Sequence, residues 1–170
     1  VEFGLTGKSQ EKNEYYGEML VGFLVALFMI YGLLAVPLRS YLQPIVIMSV
    51  IPFGFIGAVI GHMVFDVTVN MLSVFGIVAL AGVVVNDSLI LVDFTNRGRN
   101  EGMDIDSALV NAGKKRFRAI LLTTLTTFVG LLPIMFETSV QAQFVIPMAL
   151  SLSFGTVSYT HLTLPTTYHV

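Results

Sequence analysis

Long apolar runs separated by short polar stretches dominate the chain. A helix rises about 1.5 Å per residue, so about 20 apolar residues cross the ~30 Å hydrocarbon core of a bilayer. Four of the runs reach that length, and a fifth stops after about fourteen residues, where Ser, Thr and Pro interrupt it. The pattern predicts an all-α membrane protein, a bundle of four to five transmembrane helices over residues 16–156, with helices at about 17–36, 44–65, 70–97, 117–136 and 144–157.

A polar stretch with a weaker pattern lies between the third and fourth runs. Four apolar residues in it recur at i, i+3, i+4 and i+7, which is typical of an amphipathic helix. Asp104 or Asp106 can cap its start. We expect a short helix lying along the cytoplasmic membrane face, with an apolar stripe of Ile105, Ala108, Leu109 and Ala112.

The two ends of the chain differ from the runs between them. Residues 1–15 are polar and lack an initiating Met, so we interpret them as the end of a water-exposed, periplasmic portion of a longer protein. Residues 157–170 resemble the translation of a sequencing adapter. We expect this tail to be non-native.

Composition supports the membrane assignment. Hydrophobic residues make up 55% of the 170 residues and charged residues 12%, about half the usual share in soluble domains. Seven of the nine Lys and Arg fall in the first–second and third–fourth connections, which a zigzag of spans puts on one side. The positive-inside rule makes that side cytoplasmic.

Several function classes lack their signatures. The chain has no Cys, and its three histidines have no metal-ligand spacing; no H-E-x-x-H or G-x-S-x-G motif occurs. No basic patch interleaved with aromatic residues indicates nucleic acid. We therefore expect no metal, no cofactor, no nucleic-acid partner and no enzymatic activity.

A polar interruption marks the third run as the candidate functional segment. Asn86, Asp87 and Ser88 interrupt apolar sequence near its middle. A carboxylate there costs about 2.5–3.5 kcal/mol on insertion scales, and intramembrane ionisable groups are usually functional. Asp87 has no basic residue within a helical turn, whereas Asp93 precedes Arg97 by four residues, a spacing that allows a salt bridge. The alternative for Asp87 is a hydrogen-bonded structural role between two helices.

The second run combines a proline with small residues. Pro52 predicts a kink. Gly54, Gly57 and Gly61 recur at three- and four-residue spacing, which favours close approach of a neighbouring helix.

Three segments together carry a family resemblance: SYLQPIVIMSVIPFGFIGAVIGH (40–62), GVVVNDSLILVDFTNR (82–97) and KKRFRAILLTTLTTFVGLLP (114–133). They resemble the C-terminal membrane half of resistance-nodulation-division (RND) efflux permeases, in the branch that exports hydrophobic and amphiphilic compounds. The resemblance implies a multi-pass bacterial inner-membrane transporter surrounded by lipid, with twelve helices in two repeats. This chain would hold helices eight to eleven and the start of twelve. The missing N-terminal half, a homotrimer, a periplasmic adaptor and an outer-membrane channel are implied as partners.

The resemblance also suggests site residues. Thr123 matches the relay threonine of the family and Arg116 a basic residue of its proton path. Asn86 stands where the best-known drug pumps have a lysine, and Asp87 where they have an asparagine. Our hypothesis is a proton relay of Asp87, Asn86, Thr123 and Arg116 in which protonation of Asp87 switches its contacts and so drives export. The missing lysine leaves an alternative: a non-pumping protein of the same fold, such as a protein-secretion accessory subunit or a lipid-sensing scaffold.

Overall fold

Six helices make up the described part of the chain. The computed structural model describes residues 3–166, with side chains from Glu14 to His161. In chain order the helices are α1 (Phe3–Leu38), α2 (Leu42–Met48), α3 (Ile51–Val64), α4 (Met71–Asn100), α5 (Ile105–Met135) and α6 (Val140–Thr166).

Five stretches of the described chain are long and apolar enough to cross a membrane, with α2 and α3 counted together: Glu14–Leu38, Leu42–Val64, Met71–Asn100, Ile105–Met135 and Val140–His161. Between residues 3 and 166 there is no β-strand. The predicted all-α membrane bundle is confirmed.

The second span is broken where proline predicted a kink. Helix α2 ends at Met48, and α3 begins at Ile51 with Pro52 in its first turn. Pro52 has no N–H to donate to the carbonyl of Met48, so the regular ladder stops there. The hydroxyl of Ser49 donates to the carbonyl of Val46 at 2.6 Å, which gives this polar side chain a partner at the break.

Helix α4 has a well-formed N-terminal cap. The side-chain oxygen of Asn70 accepts hydrogen bonds from the backbone N–H groups of Leu72 (2.9 Å) and Ser73 (3.2 Å). The hydroxyl of Ser73 accepts one in return from the N–H of Asn70 at 3.0 Å, so two free donors of the first turn are satisfied. The helix extends three residues beyond the predicted end at 97, to Asn100. The positive charges of Arg97 and Arg99 in its last turn interact favourably with the negative end of the helix dipole.

The prediction of a separate amphipathic helix was wrong. Helix α5 runs without a break from Ile105 to Met135 and includes the predicted fourth span. Ala108 and Ala112 are buried, and Ala108 packs close to Gly98 at the end of α4. The two alanines of the stripe therefore pack against a helix of the same chain instead of lying along the membrane. Asp104 occupies the N-cap position but makes no side-chain cap bond.

The fifth span is longer than predicted. Helix α6 begins at Val140 and continues to Thr166, past the expected end at 157. Threonine hydroxyls in this part bond carbonyls of their own helix, as in Thr156 to Leu152 (2.9 Å), so polar residues do not end it. That residues 157–170 are non-native stays a prediction, and 167–170 lie outside the described residues.

The N-terminal stretch is helical from Phe3 and continues into the first span. Its assignment to a periplasmic portion stays a prediction, with residues 1 and 2 outside the described part. Helix α6 lies at the centre of the packing and contacts α3, α4 and α5, whereas the main contacts of α1 among the described residues are with α2 and α4. The innermost side chains, Val84 of α4 and Leu150 of α6, have no exposed surface.

Candidate functional site

The middle of α4 presents its polar residues at the edge of the packed face. Val84 and Ser88 are buried, Asp87 between them is half-buried, and Asn86 is exposed. Within residues 14–161, neither the Asn86 nor the Asp87 side chain makes a hydrogen bond or ion pair with the rest of the chain. The carboxyl group of Asp87 is therefore available to a partner outside this segment.

Arg116 of α5 contacts α4 through an aromatic ring. Its guanidinium carbon lies 4.2 Å from the ring centroid of Phe94, well within the range of a cation–π interaction. Its Nε atom is buried and has no hydrogen-bond partner among the described residues. The resemblance pointed to Arg116, but Phe94 was missed, because only the tertiary packing of the two helices brings them together.

This contact fixes the register of α4 against α5. The two consecutive helices are joined by the short Glu101–Asp104 connection and run antiparallel. Asp87 lies seven residues before Phe94 and Thr123 seven residues after Arg116, about 10 Å along each axis in the same direction. Asp87 and Thr123 are therefore at similar depth in the membrane.

The Asp87 and Thr123 side chains nevertheless do not share a hydrogen bond. Thr123 is exposed, and its hydroxyl donates to the carbonyl of Ala119 in its own helix at 3.0 Å. Of the four candidate relay residues, only Arg116 has a contact that ties it to the neighbouring helix.

Asp93 differs from Asp87 in having a partner on its own helix. Its carboxylate lies 2.8 Å from the guanidinium of Arg97, four residues later; the Arg97 side chain is 69% exposed and the Asp93 side chain 43%. The salt bridge predicted from this spacing is confirmed, and it makes Asp93 a matched control for Asp87.

The glycines of α3 lie against α6. A Cβ atom added to Gly61 would come within 2.6 Å of the ring of Phe154, and one added to Gly57 within 2.6 Å of the carbonyl oxygen of Phe154. At Gly54 it would meet the side chain of Leu80 of α4 at 3.0 Å. These positions bring backbones close, which is the use of small residues in membrane helices.

A second polar group, which we call the His62 cluster (His62, Ser73 and Asn70), joins α3 to the start of α4. His62 is 3% exposed. Its Nδ1 lies 2.9 Å from the carbonyl oxygen of Ala58, and its Nε2 lies 2.8 Å from the hydroxyl of Ser73. Since a carbonyl only accepts, Nδ1 carries the proton and the Ser73 hydroxyl donates to Nε2 in the neutral ring. The sequence spacing of the histidines gave no sign of this partner.

The described residues contain no group of three or more His, Cys, Asp or Glu side chains placed to hold a metal ion. An ionisable side chain midway along a membrane span commonly marks an ion or substrate pathway.

Comparison with known proteins identifies the family. The chain matches the AcrB/AcrD/AcrF family over residues 1–170. It is 32% identical over 162 residues to the multidrug resistance protein MdtC of Proteus mirabilis (strain HI4320), an alignment that covers 95% of this chain and 16% of that protein. The chain belongs to the AcrB/AcrD/AcrF family of RND permeases, and the resemblance is confirmed. It is a multi-pass protein of the bacterial inner membrane, and it spans 16% of the length of this relative.

Proposed function

We propose that the intact protein is a proton-driven exporter of hydrophobic or amphiphilic compounds and that Asp87 carries the coupled proton. Membership of the RND permease family supports the transport part of this proposal. A relative at 32% identity is named for multidrug resistance. The observation that carries the assignment to Asp87 is its half-buried, unpaired carboxyl group midway along α4.

The charge on Asp87 is large enough to shift the equilibrium between two conformations of the protein. An ionised carboxylate in the middle of a span costs about 2.5–3.5 kcal/mol on insertion scales. A difference of about 3 kcal/mol between two conformations changes their ratio roughly 100-fold. Protonation removes this cost, so the neutral acid favours a conformation in which α4 is enclosed and the carboxylate favours one in which Asp87 reaches water or a cation. Alternation between the two can drive transport.

The proposed relay is completed in different ways by three further residues, Arg116, Thr123 and Asn86. The stacking of Arg116 on Phe94 holds a positive charge about two helical turns from Asp87, and its buried Nε–H has no acceptor among the described residues. Thr123, at the depth of Asp87, can exchange its bond to Ala119 for one to a carboxyl group or a water. Asn86 is exposed and offers an amide to whatever covers this face.

The test is export by the intact transporter that contains this segment. Asp87→Asn keeps the shape of the side chain but cannot release a proton, so we expect proton-driven drug export to fall to background at normal expression. Asp93→Asn, which alters the exposed ion pair, is expected to retain export. Unchanged export by Asp87→Asn would remove Asp87 from the mechanism.

The wider assembly follows from the same proposal. The intact protein would work as a homotrimer, with a periplasmic adaptor and an outer-membrane channel, and would catalyse no chemical reaction. The asparagine at position 86 also fits the alternative, a non-pumping relative such as a secretion accessory subunit or a lipid-sensing scaffold. In proteoliposomes, an exporter acidifies or alkalinises the lumen only when substrate is present, whereas the alternative moves no protons.

A further inference from the structure

A polar cavity lies at the end of the bundle that carries most of the positive charge. It has a volume of about 380 Å³ and lies between the end of α1, the start of α2 and the last turn of α4. The residues that matter in its lining are Arg39, Ser40, Gln43, Asn96, Arg99 and Asn100. We call it the basic cavity.

The charge of the basic cavity is not neutralised within the segment. Its lining contains two arginines and no acidic residue. Among residues 14–161, neither Arg39 nor Arg99 forms an ion pair, whereas Arg97, two residues before Arg99 on α4, is paired with Asp93. Two guanidinium groups without carboxylate partners favour an anion, and arginine is suited to binding phosphate in a bidentate way.

The amide groups in the wall add further hydrogen-bond donors. Gln43 donates through Nε2 to Oδ1 of Asn96 at 3.2 Å, and Asn96 donates through Nδ2 to Oε1 of Gln43 at 2.9 Å. This reciprocal pair joins α2 to α4 and engages both amide oxygens. Each amide nitrogen keeps one N–H that is not used in the pair. Because both amide oxygens already accept a hydrogen bond, the amide groups add donors to the wall.

The backbone at Arg39 adopts an unusual conformation for a residue other than glycine or asparagine. Arg39 follows the last residue of α1 and has φ = 48°. Glycine or asparagine usually occupies this left-handed position after a helix, and another residue costs about 1 kcal/mol there. Strain of this kind is concentrated at functional sites.

The position of the cavity indicates which anion it takes. It lies where α1 and α4 end, on the side that the positive-inside rule makes cytoplasmic. Beside it, Tyr41 and Leu42 are 79% and 75% exposed, so apolar surface continues from the cavity toward the hydrocarbon. We propose that the basic cavity binds the phosphate of an anionic phospholipid, such as phosphatidylglycerol, from the cytoplasmic leaflet, with its acyl chains against the start of α2.

The experiment uses the intact transporter, purified in detergent and titrated with phosphatidylglycerol while native mass spectrometry counts bound lipids. Two basic residues near an anionic headgroup together support roughly 30-fold tighter binding. Replacing both, in an Arg39→Gln/Arg99→Gln variant, is expected to weaken the tightest lipid-binding class by that factor. Arg97→Gln is the matched control, since its charge is already paired, and is expected to change affinity less than threefold.

Three further measurements separate the possible outcomes. Asn100→Asp adds a negative charge to the lining at an exposed position, and it is expected to weaken phosphatidylglycerol binding at unchanged thermal stability. Inorganic phosphate is expected not to displace the lipid at millimolar concentration, and zwitterionic phosphatidylcholine is expected to bind the wild type and the double variant equally. Equal phosphatidylglycerol affinity of wild type and double variant, or displacement by inorganic phosphate, would overturn the proposal.

Discussion

Helix α4 carries two polar groups whose hydrogen bonds are met in opposite ways. In the His62 cluster at its N-terminal end, both ring nitrogens of His62 and the hydroxyl of Ser73 have partners within the segment. At its middle, the side chains of Asn86 and Asp87 have none among the described residues. Lipid offers no hydrogen bonds, so a polar group in a span must be satisfied by protein or by water. The first group can hold two helices together without outside help, whereas the second needs a partner and is free to change it.

The largest effect is expected where α4 touches α6 near the His62 cluster. A Cβ at Gly76 would come within 2.5 Å of the carbonyl oxygen of Met148 and 3.1 Å of its Cα, and neither backbone atom can turn aside. We expect Gly76→Ala to destabilise the protein by about 2–3 kcal/mol, seen as a lower thermal unfolding midpoint of the intact transporter. Gly82→Ala is the control, since a Cβ there meets nothing within 4 Å; equal shifts for the two variants would contradict the packing.

A smaller effect is expected from the His62 cluster itself. Ser73→Ala removes the hydroxyl that donates to His62 and closes the cap of α4. The lost cap and the unsatisfied buried ring nitrogen should together cost about 1–2 kcal/mol, measured by thermal unfolding. Ser49→Ala, at an exposed serine bonded only within its own turn, should cost less, and the reverse order would make the cluster unimportant for stability.

The middle of α4 is expected to respond in the opposite direction to removal of its charge. Asp87→Asn deletes an ionisable group that has no partner in the segment. The free energy of unfolding should therefore stay within about 0.5 kcal/mol of the wild-type value or rise. The same variant is expected to lose export. A loss of stability as large as that of Ser73→Ala would make Asp87 a structural residue and erase the contrast between the two groups.

The smallest effect is expected at the exposed ion pair. Asp93→Asn breaks the 2.8 Å contact with Arg97, but exposed pairs contribute only about 0–1 kcal/mol. The shift in unfolding midpoint should be close to the error of the measurement and should vanish in high salt. A large, salt-independent shift would indicate that the pair is enclosed in the intact protein.

Features that depend on local sequence were predicted well. The apolar runs gave the spans, Pro52 gave the break between α2 and α3, and the i,i+4 spacing gave the Asp93–Arg97 pair. Each of these follows from residues within a few positions of one another, where helix geometry alone decides which side chains meet.

Features that depend on a distant part of the chain were missed. The stripe over 105–112 is amphipathic whether it covers lipid or another helix, and only the position of Gly98 shows that it covers α4. The fit of Arg116 to Phe94, and of His62 to Ser73, likewise requires two helices to be placed against each other. For the same reason, no local pattern indicated that Arg39 and Arg99 line one cavity.

The interruption of the second span at Ser49 and Val50 has a mechanical consequence. The short piece before it is fastened to α4 by the Gln43–Asn96 amides, and the longer piece after it is seated on α6 by Gly57 and Gly61. These two attachments belong to different helices, so a displacement of α4 relative to α6 would change the angle between the two pieces. Ser49 and Val50, where the regular helix ladder stops, are the positions at which such a change of angle would be taken up.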